Sequence, residues 1–257
     1  MKSTQSNDSF PFPTKRISLG LILTLSFAAL TVIAVGLTGY LSFNNGRQAV
    51  NEVAGQLRRE ITTQIERQLE SFLKTSLLIN QINGNAAQQG LLEVDDPAAL
   101  ERYFWQQMQT FDTATSIYFG NIHGGLADAG REAHNDQLYV IATDGFQAGS
   151  FRKYATDDRG NRAELLQTVP NFDARTRPWY TRAVDSGQPA WSDIYILFTG
   201  QDMALAASQP IYDAAGRLLG VMANDIFLYD LSDFLKSLAI GRHGEDFIVE
   251  HCGLLVD

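Results

Sequence analysis

"FDARTRPWYTRAVDSGQPAWSDIY", residues 172–195, holds a helix signal and a strand signal side by side. Proline suits the first position of a helix, and the Ser186-Gly187 pair supplies a left-handed close, so a short helix is expected from about Pro178 to Asp185. The "WSDIYILF" that follows reads as a strand. Working outward, the short helix sits inside a series of β-rich runs. Before it come "SIYFGN", "QLYVIATD", "SFRKYATD" and "AELLQTV", with a hairpin signal at "DDRGN" (157–161). After it come "DMALAASQPIYD" and "RLLGVMANDIFL", then a helix at "YDLSDFLKSL". The fold class is therefore α+β, with a mainly antiparallel sheet.

The N-terminal third is different. From Ile17 to Phe43, 27 consecutive residues carry no charge. As a helix this run would reach about 40 Å, enough to cross a bilayer, and it outlasts the roughly 7–15 apolar residues of a signal peptide. The expectation is an uncleaved transmembrane helix in the plasma (inner) membrane. Residues 1–16 carry +2 and the remainder −11, so the tail is placed in the cytoplasm and the acidic bulk outside, although Arg47, Arg58 and Arg59 make the positive-inside rule nearly a tie. Beyond Asn44-Asn45-Gly46, apolar residues recur in steps of three and four from Val50 to Ile79. They predict a long amphipathic stalk helix over 44–83 that packs along the folded domain, and they fit a coiled coil only loosely. "NGNAAQQG" (83–90) is expected to end it, and Asp96 with Pro97 to cap the next helix.

Composition narrows the function. With 45% hydrophobic and 19% charged residues the chain reads as folded, and its net charge of −9 argues against a nucleic-acid partner. The lone Cys252 excludes an intrachain disulfide and a multi-cysteine metal site. His123, His134, His243 and His251 are scattered, and no nucleophile elbow, phosphate loop or zinc-protease motif occurs. "GNIHGG" (120–125) is read as a turn after a strand, and Asp157-Asp158 as solvated turn residues. No catalytic residue, metal ligand or cofactor site is expected.

Binding chemistry concentrates near the short helix. Arg177 precedes Pro178, which keeps it extended at the helix mouth, where backbone N–H groups also point outward. A guanidinium there suits a carboxylate. Trp179 and Tyr180 follow and could wall a pocket. If "AWSDIYILF" is one strand, Trp191, Asp193, Tyr195 and Leu197 share a face. In "GVMANDIFL", Asp225 lies in an otherwise apolar row with Val221, Ala223 and Phe227. A carboxylate there costs free energy unless a structural cation, a ligand ammonium or water meets it.

"FDARTRPWYTRAVDSGQPAWSDIY" followed by "ASQPIYDAAGRLLGVMANDIFL" resembles the membrane-distal module of double-Cache sensor domains, and the likeness extends upstream through "YATDDRGN", "IYFGN" and "ERYFWQQMQTF". The resemblance implies a PAS-like extracytoplasmic module over 84–240, in a receptor that binds amino acids, amines or organic acids. It implies that Arg177 and Trp179 hold a ligand carboxylate with help from Tyr180, that Tyr195 lines the pocket, and that Asp225 receives an amine. The amino-acid-binding version carries tyrosine where this chain has Phe172. The family also continues through a membrane-proximal module, so residues 241–257 are expected to open that second module and the chain to be an N-terminal fragment. The missing effector would be a nucleotide cyclase, histidine kinase or phosphatase, and the assembly a homodimer. Two rivals to a sensor stand beside this reading: a membrane-anchored enzyme, and a scaffold in which Arg177 and Asp225 pair with each other.

Overall fold

The computed structural model describes residues 18–132, 135–199 and 202–237, together with the backbone of two short strands at 248–249 and 255–256. The chain divides into two units, residues 1–62 and 63–257. Helix α1, Leu19–Gln88, begins in the first. Its apolar stretch is long and apolar enough to cross a membrane, and none of that window is buried inside the protein. The tail 1–16 and Ile17 lie outside the described residues.

In the second unit α1 does end within "NGNAAQQG" (83–90), but five residues beyond the expected limit at Asn83. It runs on to Gln88 because the presumed breakers are contact residues. Asn83 exchanges hydrogen bonds with the Gln107 amide at 2.9 and 2.6 Å. Gly84 is buried where a Cβ would meet Gln209 at 2.9 Å and Ile211 at 3.1 Å. The helix closes at the left-handed Gly90, the last residue of that stretch, with Leu91 and Leu92 donating back to the Ala86 carbonyl. Helix α2, Pro97–Met108, starts as expected, the Asp96 carboxylate accepting from the Ala98 and Ala99 N–H groups.

An antiparallel sheet follows. Its strands are β1 (Ser116–Asn121), β2 (Leu126–Arg131), β3 (Leu138–Thr143), β4 (Gly149–Thr156), β5 (Arg162–Phe172), β6 (Ala190–Trp191), β7 (Tyr195–Ile196), β8 (Met203–Tyr212) and β9 (Leu218–Phe227). The spatial order is β5-β4-β3-β2-β1-β9-β8-β6, with β7 also on β8. Helix α3 (Pro178–Ser186) is inserted after β5, and α4 (Leu228–Ser237) follows β9. β10 (Ile248–Val249) and β11 (Leu255–Val256) pair antiparallel, as the hairpin reading required; the rest of 241–257 lies outside the described residues.

One expectation changes, and one strand appears that the sequence did not announce. "WSDIYILF" is not one strand: the Ser192 N–H still donates to the Ala206 carbonyl at 2.9 Å, but its hydroxyl accepts the Ala206 N–H at 3.0 Å and donates to the Asp193 carbonyl at 2.7 Å, and the regular ladder ends there. The alternation assumed for Trp191, Asp193, Tyr195 and Leu197 is therefore broken. Strand β2, "LADAGR", has no β-branched or aromatic residue to announce it. Its small residues are what a strand in the middle of the sheet needs: Ala127 and Ala129 are fully buried beneath α2, and a Cβ at Gly130 would lie 2.4 Å from the Tyr139 hydroxyl.

Alternation sorts the sheet into two faces. Ile117, Phe119, Ala127, Ala129, Val140 and Met222 form one core with Leu100, Phe104 and Met108 of α2 and Ile79 of α1. Tyr118, Leu126, Tyr139, Ile141, Phe151, Val221 and Ala223 turn to the other face, where Trp179 and Tyr180 of α3 and Phe172 complete a second cluster.

Candidate functional site

The second face lines a half-open pocket with about 420 Å³ of free space, part of it open solvent. It is lined by Ser116 and Tyr118 of β1, Leu126 and Asp128 of β2, Tyr139 and Ile141 of β3, Phe151 of β4 and Asp225 of β9. Phe172, Arg177 and Trp179 come from around the start of α3, and Tyr195 and Leu197–Thr199 from the segment after β6.

Arg177 has the helix-mouth position read from its sequence, extended at φ −82°, ψ 144° with Pro178 as the first helical residue. Its guanidinium donates to the Ile196 carbonyl at 2.9 Å and lies over the rings of Tyr195 (5.5 Å) and Phe198 (5.3 Å). Those contacts orient the guanidinium without neutralising it. The neighbouring Arg175 is spent on Asp173, at 2.7 Å, which holds that carboxyl below its usual range. Trp179 meets Tyr118 edge-on at 4.8 Å, and Gly120 makes room for it, since a Cβ there would lie 2.5 Å from the indole. Phe151, Phe172 and Phe198 form a ring triangle with centroids 5.1–6.0 Å apart.

Asp225 is 2% exposed. It accepts hydrogen bonds from the hydroxyls of Tyr195 at 2.7 Å, Tyr118 at 2.8 Å and Ser116 at 3.2 Å. Burial pushes its carboxyl up to about 6, against the opposing pull of those hydroxyls and of the Arg177 charge. Burial and the nearby Asp225 charge raise both tyrosines well above their ordinary range, so they remain donors. Among the described residues neither Arg177 nor Asp225 enters an ion pair. The packed Arg177–Asp225 pair that a scaffold required is not formed, and a pocket stands beside both.

Five of the six residues singled out in the sequence thus line one pocket: Phe172, Arg177, Trp179, Tyr195 and Asp225. Tyr180 does not; it is buried against Trp179, with centroids 5.6 Å apart. Sequence reasoning missed Ser116 and Tyr118, which alternation in "SIYFGN" puts on one face, and Asp128. "LADAGR" carries the same sign that exposed Asp225, a carboxylate among small apolar neighbours. No cluster of histidine, cysteine and carboxylate side chains able to hold a metal occurs among the described residues. The turn reading of "GNIHGG" fits: the Asn121 side chain accepts from the His123 and Gly125 N–H groups, both at 2.9 Å.

Over 251 residues, 97% of the chain, it is 23% identical to methyl-accepting chemotaxis protein McpG of Pseudomonas putida, and over 103 residues 29% identical to McpB of Bacillus subtilis. These matches cover 32% and 15% of those proteins, so the chain spans a third of their length or less. Among solved structures it is similar to the ligand-binding domain of the Pseudomonas aeruginosa amino acid chemoreceptor PctC in complex with GABA. That match has 23% identity and a TM-score of 0.48, and covers 77% of this chain and 72% of the other. It is also similar to the ligand-binding domain of Pseudomonas fluorescens chemoreceptor CtaA in complex with L-isoleucine, with 21% identity, a TM-score of 0.49, and 74% and 62% covered. The double-Cache likeness and the sensing role read from the sequence agree with what the family model recognises. That model, for the first PDC sensor domain of methyl-accepting chemotaxis protein-like chains, matches residues 101–233, just over half of the sequence, and the chain belongs to that sensor family.

Proposed function

We propose that the pocket binds a small molecule through a carboxylate at Arg177 and an amine at Asp225, and that the chain reports this binding across a membrane. One observation carries the reading: an oriented guanidinium and a buried carboxyl face the same pocket, and neither is neutralised by a protein partner. A ligand with both charges would supply both missing partners, each charge-assisted bond contributing about 1.5–3 kcal/mol. The amino acids in the complexes of PctC and CtaA have this pair of groups.

In the same proposal Ile17–Phe43 anchors the chain, residues 1–16 face the cytoplasm, and the sensor module over 84–240 lies outside. Residues 241–257 open a second module, and the output is of the chemotaxis kind that the relatives' names give. Val50, Val53 and Leu57 are spaced by three and four and are all exposed, which supports pairing with a second copy as a homodimer. We place the route for the signal on the same strand. Asp225 faces the pocket, while the preceding residue, Asn224, faces α1 and donates to the Ser76 carbonyl at 2.8 Å and the Asn80 side chain at 3.0 Å. Asn80 in turn donates to the Ala207 carbonyl on β8.

The test is a thermal-shift and calorimetric screen of the whole chain in nanodiscs against amino acids, amines and organic acids. A compound with both charges should stabilise the wild type, and Asp225→Asn should weaken its binding. Hydrogen exchange over residues 76–84 should slow on binding if the Asn224 route operates. No stabilising compound in any of the three classes would sink the proposal.

A further inference from the structure

Pairing of one carboxylate and one amine leaves a second buried carboxyl in the pocket without a task. Asp128 stands in the middle of β2 between Ala127 and Ala129, which turn to the helix-packed face. Its side chain lines the pocket, the residue is 6% exposed, and its Oδ1 has no hydrogen-bond partner. Of the buried side-chain oxygens and nitrogens without partners among the described residues, only this one belongs to the pocket lining. The contrast with Asp225 and its three hydroxyl donors is sharp.

Among the described residues no cation forms an ion pair with Asp128. Lys153 acts on Asp128 through its charge, but its Nζ lies 2.6 Å from the Glu132 carboxylate and 3.9 Å from the centre of the Tyr139 ring. Arg177 is held by the Ile196 carbonyl and the rings of Tyr195 and Phe198. Burial and the nearby Asp225 charge drive the Asp128 carboxyl well above the usual range, as expected of an acid with no cation of its own. Beside it are apolar surfaces, Ile141 directly across the β2–β3 ladder and Tyr139 on the same strand.

We infer that Asp128 is the receptor for a second cationic nitrogen on the ligand, so that the pocket selects a basic amino acid over an aliphatic one. The inference rests on the assignment of Arg177 and Asp225 above. The charges then match: a molecule with one carboxylate and two ammonium groups meets one guanidinium and two carboxyls. A methylene chain would lie on Tyr139 and Ile141, and the terminal nitrogen would donate to Oδ1. A ligand with an aliphatic end would leave Oδ1 buried and unpaired, and such an unmet polar group discriminates strongly.

The experiment compares L-lysine with L-norleucine, the same chain without the terminal nitrogen, by calorimetry on the whole chain in nanodiscs. Wild type should bind lysine about ten- to a hundredfold more tightly than norleucine. Asp128→Asn should erase that preference, while Arg177→Ala weakens both amino acids alike. Norleucine binding as tightly as lysine to the wild type overturns the inference whatever the variant does. So does a preference that survives Asp128→Asn. In either case, weakening by Arg177→Ala leaves the carboxylate site standing. Failure of both amino acids to bind overturns the inference too. The carboxylate reading then falls only if no other carboxylate binds in a manner that depends on Arg177.

Discussion

The two faces of the sheet are built on opposite rules. Toward α1 and α2 the strands present Ile117, Phe119, Val140 and Met222, all fully buried against Phe104, Leu100 and Met108. Toward α3 they present Tyr118, Tyr139, Asp128 and Asp225, almost as deeply buried but around a pocket. The first face derives stability from closure. The second gives some up, holding carboxyls out of water with hydroxyls or with nothing. Depth of burial does not separate the faces; the presence of unneutralised charge does.

The comparison breaks if a core residue proves dispensable. Phe104 is fully buried in the helix-side cluster, and Phe104→Ala should cost about 3–5 kcal/mol in a denaturant titration. That loss should be independent of ligand, apart from the ordinary stabilisation binding adds to either protein. A loss below about 1 kcal/mol would mean that this face is not the structural one.

The pocket face should instead reveal itself through pH. Asp225 has its carboxyl raised to about 6 in the folded protein, so the folded state binds this proton more tightly than the unfolded chain. Its contribution is full below about pH 4 and is lost as pH rises through 6, a fall of roughly 3 kcal/mol for the empty pocket. Tyr118, Tyr195 and Ser116 face the group, as do the charges of Arg177 and Asp128, and Asp128 is raised in the same direction. Melting curves from pH 4 to 7 should therefore show a decline that Asp225→Asn reduces. A ligand ammonium would counter it, stabilising more at pH 7 than at pH 4. A flat wild-type profile would show that water or a cation already satisfies this carboxyl.

Arg177→Ala should do the reverse of Phe104→Ala. The guanidinium's one hydrogen bond runs to a main-chain carbonyl and its stacking is half-exposed, so the melting temperature should barely move. Binding of a carboxylate ligand should weaken about ten- to a hundredfold in calorimetry. An unfolded variant, with no ligand found for the wild type, would move Arg177 to the structural side.

How much of this was legible depends on whether the signal is local. The α3 cap, the Asp96 cap, the "DDRGN" hairpin and most strands are written in turn chemistry and alternation, and they appear as read. Asn83 and Gly84 misled because breaker residues were being used for contact with Gln107, Gln209 and Ile211, partners distant in sequence. β2 escaped because a strand squeezed between its neighbours and α2 needs alanine and glycine rather than good strand formers. Asp128 was lost with it. A carboxylate can be judged out of place only after its strand and face are known. Tyr180 failed for a related reason: adjacent aromatics on a helix point in different directions, and only Trp179 reaches the pocket.

The smallest effect is the finest probe of the boundary between the faces. Phe172 is 3% exposed, packed on Phe151 and Phe198, and lines the pocket. The amino-acid-binding version of the family carries tyrosine here, and Phe172→Tyr adds one hydroxyl and nothing else. If that hydroxyl reaches the pocket beside Arg177, it gains a hydrogen bond to the ligand carboxylate, about 0.5–1.5 kcal/mol. Affinity should then rise roughly three- to tenfold, and stability should change by less than about 1 kcal/mol. If the hydroxyl is instead trapped among the rings, it is a buried polar group without a partner. Stability would then drop by about 1–3 kcal/mol and affinity would stay where it was. Calorimetry and a melting curve on the same variant separate the two outcomes. The first is expected, because a ring that already lines the pocket need only extend toward it.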